Sequence, residues 1–250
     1  MSLPMDPVTF QVVWSRLVSI ADEIATTLVK TAFSLVVRDN HDYACGLYDA
    51  KGRMLAQSTQ CTPGQAGSTP RVVQDMLTHY PQDSLDDGDI LITNDPWIGA
   101  GHSPDVFVAQ PIFHKSRHVG FACTCAHHID MGGRLAATDA RDVYEEGVII
   151  PVAKLMRAGQ PNDELFRLLR RNVRAADKVI GDLRAQIAAN HAGVDGMRRM
   201  LDAFGLDGLD ELADEVTGRS EAALRRAIAE LPDGTVENEI LHEERDANGE

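Results

Sequence analysis

The sequence predicts an α+β fold in which a mixed N-terminal region, with one long helix and antiparallel hairpins, is followed by a helical region. Two observations predict it. Apolar residues recur at helical spacing near the start of the chain and again from Asp163 to Leu231, and between these stretches short β-branched or aromatic runs are separated by turn residues. The expected division is 1–158 for the α+β part, 159–234 for the helices and 235–250 for an acidic tail or the start of a further half.

The elements follow in order. Asp6 before Pro7 is a helix start, because Asp6 can cap free amides and Pro7 is tolerated in the first turn. Phe10, Val13, Trp14, Leu17, Ile20, Ala21, Ile24 and Leu28 then form an apolar stripe, predicting a helix to near Ser34. Tyr43 to Tyr48 and Arg53 to Gln57 flank Asp49-Ala50-Lys51-Gly52 and predict a hairpin, with Gly52 supplying the positive φ of the turn. Thr69 and Pro70 are expected to open a short helix to about Tyr80, and Ile90 to Thr93 to form a strand. Val106 to Phe113 and Val119 to Ala126 predict a second hairpin around His114-Lys115-Ser116-Arg117-His118. Pro111 lacks an amide donor, which predicts an edge or bulged strand. From Asp163 about four helical segments are expected, with breaks near Ala192-Gly193, Gly205 to Gly208 and Pro232. Gly181 in that pattern marks close helix packing. The acidic residues from Glu237 to Glu250, with Ile240 and Leu241 as their only apolar anchors, are expected to fray.

Charge and cysteine content narrow the function classes. The formal net charge of −14 argues against a nucleic-acid or anionic-membrane surface, since phosphate binding needs a dense basic footprint. No stretch approaches the ~18 consecutive apolar residues of a membrane span, and the N-terminus has no basic region followed by an apolar core. The expected compartment is the cytoplasm. Cys45, Cys61, Cys123 and Cys125 lack metal-site spacing, and Cys123 and Cys125 are read as small core residues.

Chemistry concentrates between residues 94 and 133, which hold five of the nine histidines. If the central hairpin folds about Ser116, partners have numbers that sum to 232, so Asp105 faces His127 and His102 faces Asp130. Directly opposed residues bring their Cβ atoms to roughly 4.5–5.5 Å, and two imidazoles with two carboxylates then make a ligand set for a divalent transition metal such as Zn, Mn, Fe or Ni. Asn94-Asp95-Pro96-Trp97 reads as a shaped loop over that metal, with Asp95 as an acceptor for a ligating imidazole. Gly132-Gly133 would turn backbone amides toward an anion or a carbonyl oxygen, and Arg134 or Arg141 would neutralise a carboxylate or phosphate. Asp95, Trp97, Gly132 and Gly133 are therefore the expected substrate contacts. Glu146, in the acidic pair Glu145-Glu146 at an expected strand entrance, is the candidate general base. No nucleotide-binding loop is found.

Several motifs resemble, in order, those of the hydantoinase B/oxoprolinase family. They are Lys30 to Ser34, Asp42 to Cys45, Asn94 to Asp105, Ala126 to Gly133, Val143 to Gly147, Asn172 to Arg174, Gly181 to Leu183 and Leu231 to Gly234. The resemblance implies work with a hydantoinase A/oxoprolinase-type partner that binds ATP, and hence an oligomer. It also implies one of three chemistries: ATP-dependent opening of cyclic amides, lactam hydrolysis, or carboxylation of ketones as in acetone carboxylase. Amide hydrolysis is the first expectation, and an assembly module without turnover is the rival from outside enzymes. In the acetone carboxylase branch the metal is usually manganese, with zinc or iron as alternatives here. Its ligands, carried onto this sequence, are His102, Asp105 and His127, with His127 favoured over His128. Asp130 remains a catalytic, outer-shell or fourth-ligand candidate. After the partner activates the amide or carbonyl oxygen by phosphorylation, the metal would polarise that group or acidify a bound water. Two departures from the family stand out. Gln65-Ala66-Gly67-Ser68-Thr69-Pro70 lacks a His that many members carry there, and family chains run well beyond Leu231 to Gly234, so this one is expected to be an N-terminal half or a shortened form.

Overall fold

The computed structural model of the chain describes residues 6–134 and 140–240. The acidic tail beyond Ile240, Leu241 included, lies outside these. Helix α1 spans Pro7–Thr31, and Asp6 caps it by accepting from the amides of Val8 and Thr9. Its stripe is buried at Phe10, Val13, Leu17, Ile20, Ala21, Ile24 and Leu28, each worth about 1.5–3 kcal/mol where a large side chain leaves water. Trp14 departs from the expectation: it sits at the border of the stripe and stays 40% exposed. The helix stops short of Ser34, which instead caps a single turn, α2 (Leu35–Arg38).

Among the described residues seven antiparallel strands follow: β1 (Tyr43–Asp49), β2 (Met54–Gln57), β3 (Ile90–Thr93), β4 (Asp105–His114), β5 (Arg117–His127), β6 (Ala153–Arg157) and β7 (Gln160–Pro161). Their order in the sheet is β2-β1-β5-β4-β3-β6-β7. Helix α3 (Pro63–His79) covers one face. Helices α4 (Asp163–Asn172), α5 (Ala176–Phe204) and α6 (Asp210–Ala229) follow, and on the opposite face α1 and α5 pack side by side, α1 over β1 and β2 and α5 over β4 and β5. Strand alternation sorts the core accordingly. Phe121, Cys123 and Cys125 pack toward α3, while Ala122 and Ala126 pack with α1 and α5.

Four expectations are corrected. Pro111 is in a central strand rather than at an edge, although that strand is bulged beside it, between Ile112 and Phe113; it survives there because the registered pairing of β3 with β4 ends at Ala109, so no strand flanks Pro111 on that side. Helix α3 starts at Pro63, not Thr69, and runs through Pro70, with the Ser68 and Thr69 hydroxyls bonding the Gln65 carbonyl just before the proline. Helix α5 continues unbroken through Gly193, so three helices replace the four expected segments. A Cβ at Gly193 would lie 2.5 Å from Ile24 Cδ1, which makes this glycine a close-packing point between α5 and α1. Residues 147–151 form no strand; Glu146 instead ends a 3₁₀ turn, Val143–Glu145.

Candidate metal centre

The β4–β5 hairpin turns through Lys115 and Ser116, both at positive φ as a two-residue turn of this hand requires. A bulge between Ile112 and Phe113 shifts the register, and from Ile112 to Asp105 partners sum to 232 as predicted. Asp105, at the start of β4, thus pairs with His127 at the end of β5. On its other flank β5 pairs with β1, where Tyr43 faces Ala126 and the His127 amide donates to the Asp42 carbonyl. Asp42, His127 and Asp105 therefore stand in a row across three strands, at the end of the sheet away from the His114 and His118 turn.

The side chains converge. His127 Nδ1 lies 3.1 Å from Asp105 Oδ1 and 3.7 Å from Asp42 Oδ2, and His102 Nε2 lies 2.8 Å from Asp105 Oδ2. The His102 and His127 rings sit edge to face, 5.2 Å apart. One ligand atom from each of His102, Asp105 and His127 falls within 4.8 Å of the other two. Burial alone would raise the Asp105 carboxyl, but the hydrogen bonds from the two imidazoles outweigh it and hold the group down at about 2. The His102 imidazole is raised, first by its hydrogen bond to Asp105, against its own burial, with the charges of Glu146 and Asp42 adding to the effect.

These residues suit a divalent ion on the chemistry of the donor set and on one atom left over. Two imidazole nitrogens and at least two carboxylate oxygens face one another at the separations a small cation would bridge. Gln65 Oε1, on the amide whose nitrogen bonds Asp42 and Asp105, is enclosed with no hydrogen-bond partner, which is unusual for a buried polar atom and accords with an occupant completing the site.

His128 points the other way, as strand alternation demands. It is fully buried, and its Nε2 lies 3.0 Å from Gln186 Oε1 on α5. Because Gln186 Nε2 donates to the Val106 carbonyl, its Oε1 must accept, so His128 Nε2 carries the proton. Burial lowers the His128 pKa and keeps the ring neutral.

Other expected residues fall elsewhere. His102 does not face Asp130; it lies in the turn before β4 and reaches forward to Asp105. Asp130 is not part of the three-residue group. Its carboxylate accepts from the amides of Gly132, Arg174 and Ala175 and pairs with the Arg174 guanidinium, tying the segment after β5 to the entry of α5. The Gly132 amide is therefore taken by Asp130 and does not face outward. Gly132 and Gly133 both hold positive φ, and the Arg174 guanidinium bonds their carbonyls. Asp95 accepts from the Trp97 amide rather than from an imidazole, and Trp97 is 74% exposed on the loop leading to His102. Arg134 pairs with Glu145. Glu146 does reach the site: its Oε2 accepts from the Ser103 amide, next to His102, and among the described residues no hydrogen bond engages its Oε1.

Three residues here lie in segments noted in the sequence, Asp42 and Asn94 in family motifs and Gln65 where a family His is missing, but none was named as a site residue. Asp42 joins the row through the β1–β5 pairing; its place directly before a predicted strand was the available signal. Gln65 enters from the first turn of α3, where its Nε2 donates to Asp42 Oδ1 and to Asp105 Oδ1, both at 3.0 Å. Asn94, buried at the end of β3, donates to the carbonyls of Ser103 and Val148 and accepts from the Ile150 amide. It stitches the His102 loop to the segment after Glu146; the sequence showed its turn composition and its place in a family motif, but not these bonds.

Residues 6–247 match the family model described as hydantoinase B/oxoprolinase. A protein provisionally named as a B-type D-/L-hydantoinase subunit, from Pseudomonas sp. (strain NS671), is 35% identical over 236 residues, covering 92% of this chain and 40% of that protein. The beta chain of the Pseudomonas jessenii caprolactamase is 31% identical over 233 residues, covering 92% and 40%. This chain thus spans less than half the length of those relatives. The crystal structure of the ATP-dependent caprolactamase from Pseudomonas jessenii superposes with a TM-score of 0.84 at 31% identity, over 93% of this chain and 40% of that one. An acetone carboxylase structure gives a TM-score of 0.75 at 23% identity, over 84% and 28%, a likeness of fold.

Proposed function

The chain belongs to the hydantoinase B/oxoprolinase family, and from that premise we propose that it forms the metal-binding part of an ATP-dependent amidohydrolase that opens cyclic amides such as hydantoins, 5-oxoproline or lactams. An ATP-binding partner of hydantoinase A/oxoprolinase type activates the amide; this chain contributes the centre at which the activated group is attacked. The observation that carries the reading is the convergence of His102, Asp105 and His127, with Asp42 beside them, on one point at the end of the sheet.

His102 Nε2, His127 Nδ1 and one oxygen each from Asp105 and Asp42 would hold the ion, with manganese the first candidate. When bound, such an ion supplies a Lewis acid that draws charge from a carbonyl or acidifies water. The chain's own residues do the rest. Asp105 stays ionised throughout the physiological range and so remains an acceptor for both imidazoles. Glu146, anchored through Oε2 to the Ser103 amide, keeps Oε1 for taking a proton from an attacking water. Asn94 holds the His102 loop and the Glu146 segment together, so the nucleophile's base and the ligand loop share one geometry. Trp97, exposed on that loop, is the candidate substrate contact.

The deciding experiment combines this chain with an ATP-binding partner of hydantoinase A/oxoprolinase type and follows ATP-dependent ring opening of hydantoin, 5-oxoproline and caprolactam, with and without Mn²⁺. Ring opening by the wild-type chain and its absence with Glu146→Gln support the reading. Metal bound without turnover on any of the three would leave an assembly role, and, with a ketone supplied in their place, carboxylated product formed only with bicarbonate would mean a carboxylase.

A further inference from the structure

Gln65 stands in the first turn of α3, only 3% exposed, with its side chain against the row formed by Asp42, His127 and Asp105. A single nitrogen donates to one oxygen of each carboxylate. That geometry needs a nitrogen with two hydrogens, which a neutral carboxamide has and an imidazole nitrogen does not. The same two bonds settle which end of the amide is which, because the reversed amide would set its carbonyl oxygen against two carboxylates with no hydrogen between them. Oε1 is left enclosed and without a partner.

The consequence falls on the carboxylates. Oδ1 of each is held by Gln65, and Asp105 Oδ1 also lies 3.1 Å from His127 Nδ1; the oxygens Gln65 does not hold are Asp105 Oδ2, 2.8 Å from His102 Nε2, and Asp42 Oδ2, 3.7 Å from His127 Nδ1. We propose that Gln65 is a positioning residue of this centre. Its NH₂ group clamps one oxygen of each carboxylate, so that Asp42 and Asp105 each offer a divalent ion a single oxygen. Its enclosed carbonyl accepts an N–H or O–H from whatever shares the site with the ion. Carboxylates that chelate through both oxygens would fill positions on the ion that single-oxygen binding leaves for other ligands. The clamp is also neutral, so it orders the two acids without offsetting the negative charge that attracts the cation. The inference rests on the metal reading given above.

The test titrates Mn²⁺ alone into the full chain by calorimetry and records its electron paramagnetic resonance spectrum, in wild type, Gln65→Leu, Gln65→His and His127→Ala. Outer residues that orient metal ligands typically matter by roughly ten- to hundredfold in affinity, and a loss of that size is expected in Gln65→Leu, with an altered Mn²⁺ spectrum. Gln65→His, with one N–H where two are needed, should fall between Gln65→Leu and wild type. Wild-type affinity and spectrum in both Gln65 variants would overturn the clamp while leaving the metal centre standing. A wild-type chain that binds no better than His127→Ala would overturn both. If Gln65→Leu does not fold, Gln65→His decides alone: weakened binding with a changed spectrum supports the proposal, and an unchanged chain refutes it.

Discussion

His127 and His128 are neighbours in sequence that serve opposite faces of one sheet: His127 Nδ1 meets Asp105 Oδ1 at 3.1 Å, while His128 Nε2 meets Gln186 Oε1 at 3.0 Å in the core between sheet and α5. A pair of identical residues thus divides between the candidate metal centre and the core. The division comes from the two-residue period of the strand alone.

Substituting each member should separate the two roles. His127→Ala is expected to lose bound metal with little change in melting temperature. His128→Ala should cost stability, about 1–3 kcal/mol for the Gln186 oxygen left without its donor and more for the cavity. Urea unfolding of metal-free protein, set beside elemental analysis, reads both. Equal metal loss in the two variants would show that His128 also acts at the site.

Asp130→Asn tests the reassignment of Asp130 from the ligand set to the backbone of the α5 entry. Burial alone would raise the Asp130 carboxyl, but the amides of Ala175, Gly132 and Arg174 hold it below its ordinary value. The amide substitution should retain metal at wild-type stoichiometry and lower stability by about 1.5–3 kcal/mol, the range for hydrogen bonds to a charged group. A chain that stays stable but comes out metal-free would return Asp130 to the centre.

In the metal-free chain, stability should depend on pH through two groups of opposite sign. Asp105 is held at about 2 against an ordinary 3.8, so its contribution is complete above 3.8 and is lost as pH falls through about 2. His102 is raised above 6.5, so its contribution is complete below 6.5 and is lost as pH rises through the elevated folded value. Together they stabilise most between 3.8 and 6.5. The His102→Gln chain should lack the alkaline limb in a series of urea midpoints, and parallel profiles for the two proteins would refute the coupling. Added Mn²⁺ competes with the His102 proton, so its affinity should climb over the same alkaline range.

Much of this site was legible in the sequence. Local patterning placed α1, the β1–β2 hairpin and β3, and the partner sum of 232 paired Asp105 with His127 because one face of each strand is buried and a one-residue slip would turn every side chain over. The same sum failed for His102 and Asp130, since both lie beyond the strand ends, where no ladder enforces register. For Pro111 the expected bulge is there but the edge is not, because its tolerance depends on how far β3 extends beside β4, a property of another segment.

The sequence by itself determined the mixed α and β character, the central hairpin and, with the family motifs, the three residues His102, Asp105 and His127. Tertiary structure decided the rest of the centre. Asp42 arrives through the pairing of β1 with β5 and Gln65 through the docking of α3 over that row. Asn94 arrives through its bonds to the segment around Val148 and Ile150. Short-range periodicity carries information about which face a residue takes within its own element. Which distant carboxylate or amide comes to stand beside it is set by strand order and helix packing, contacts between segments far apart in the chain that no local pattern encodes.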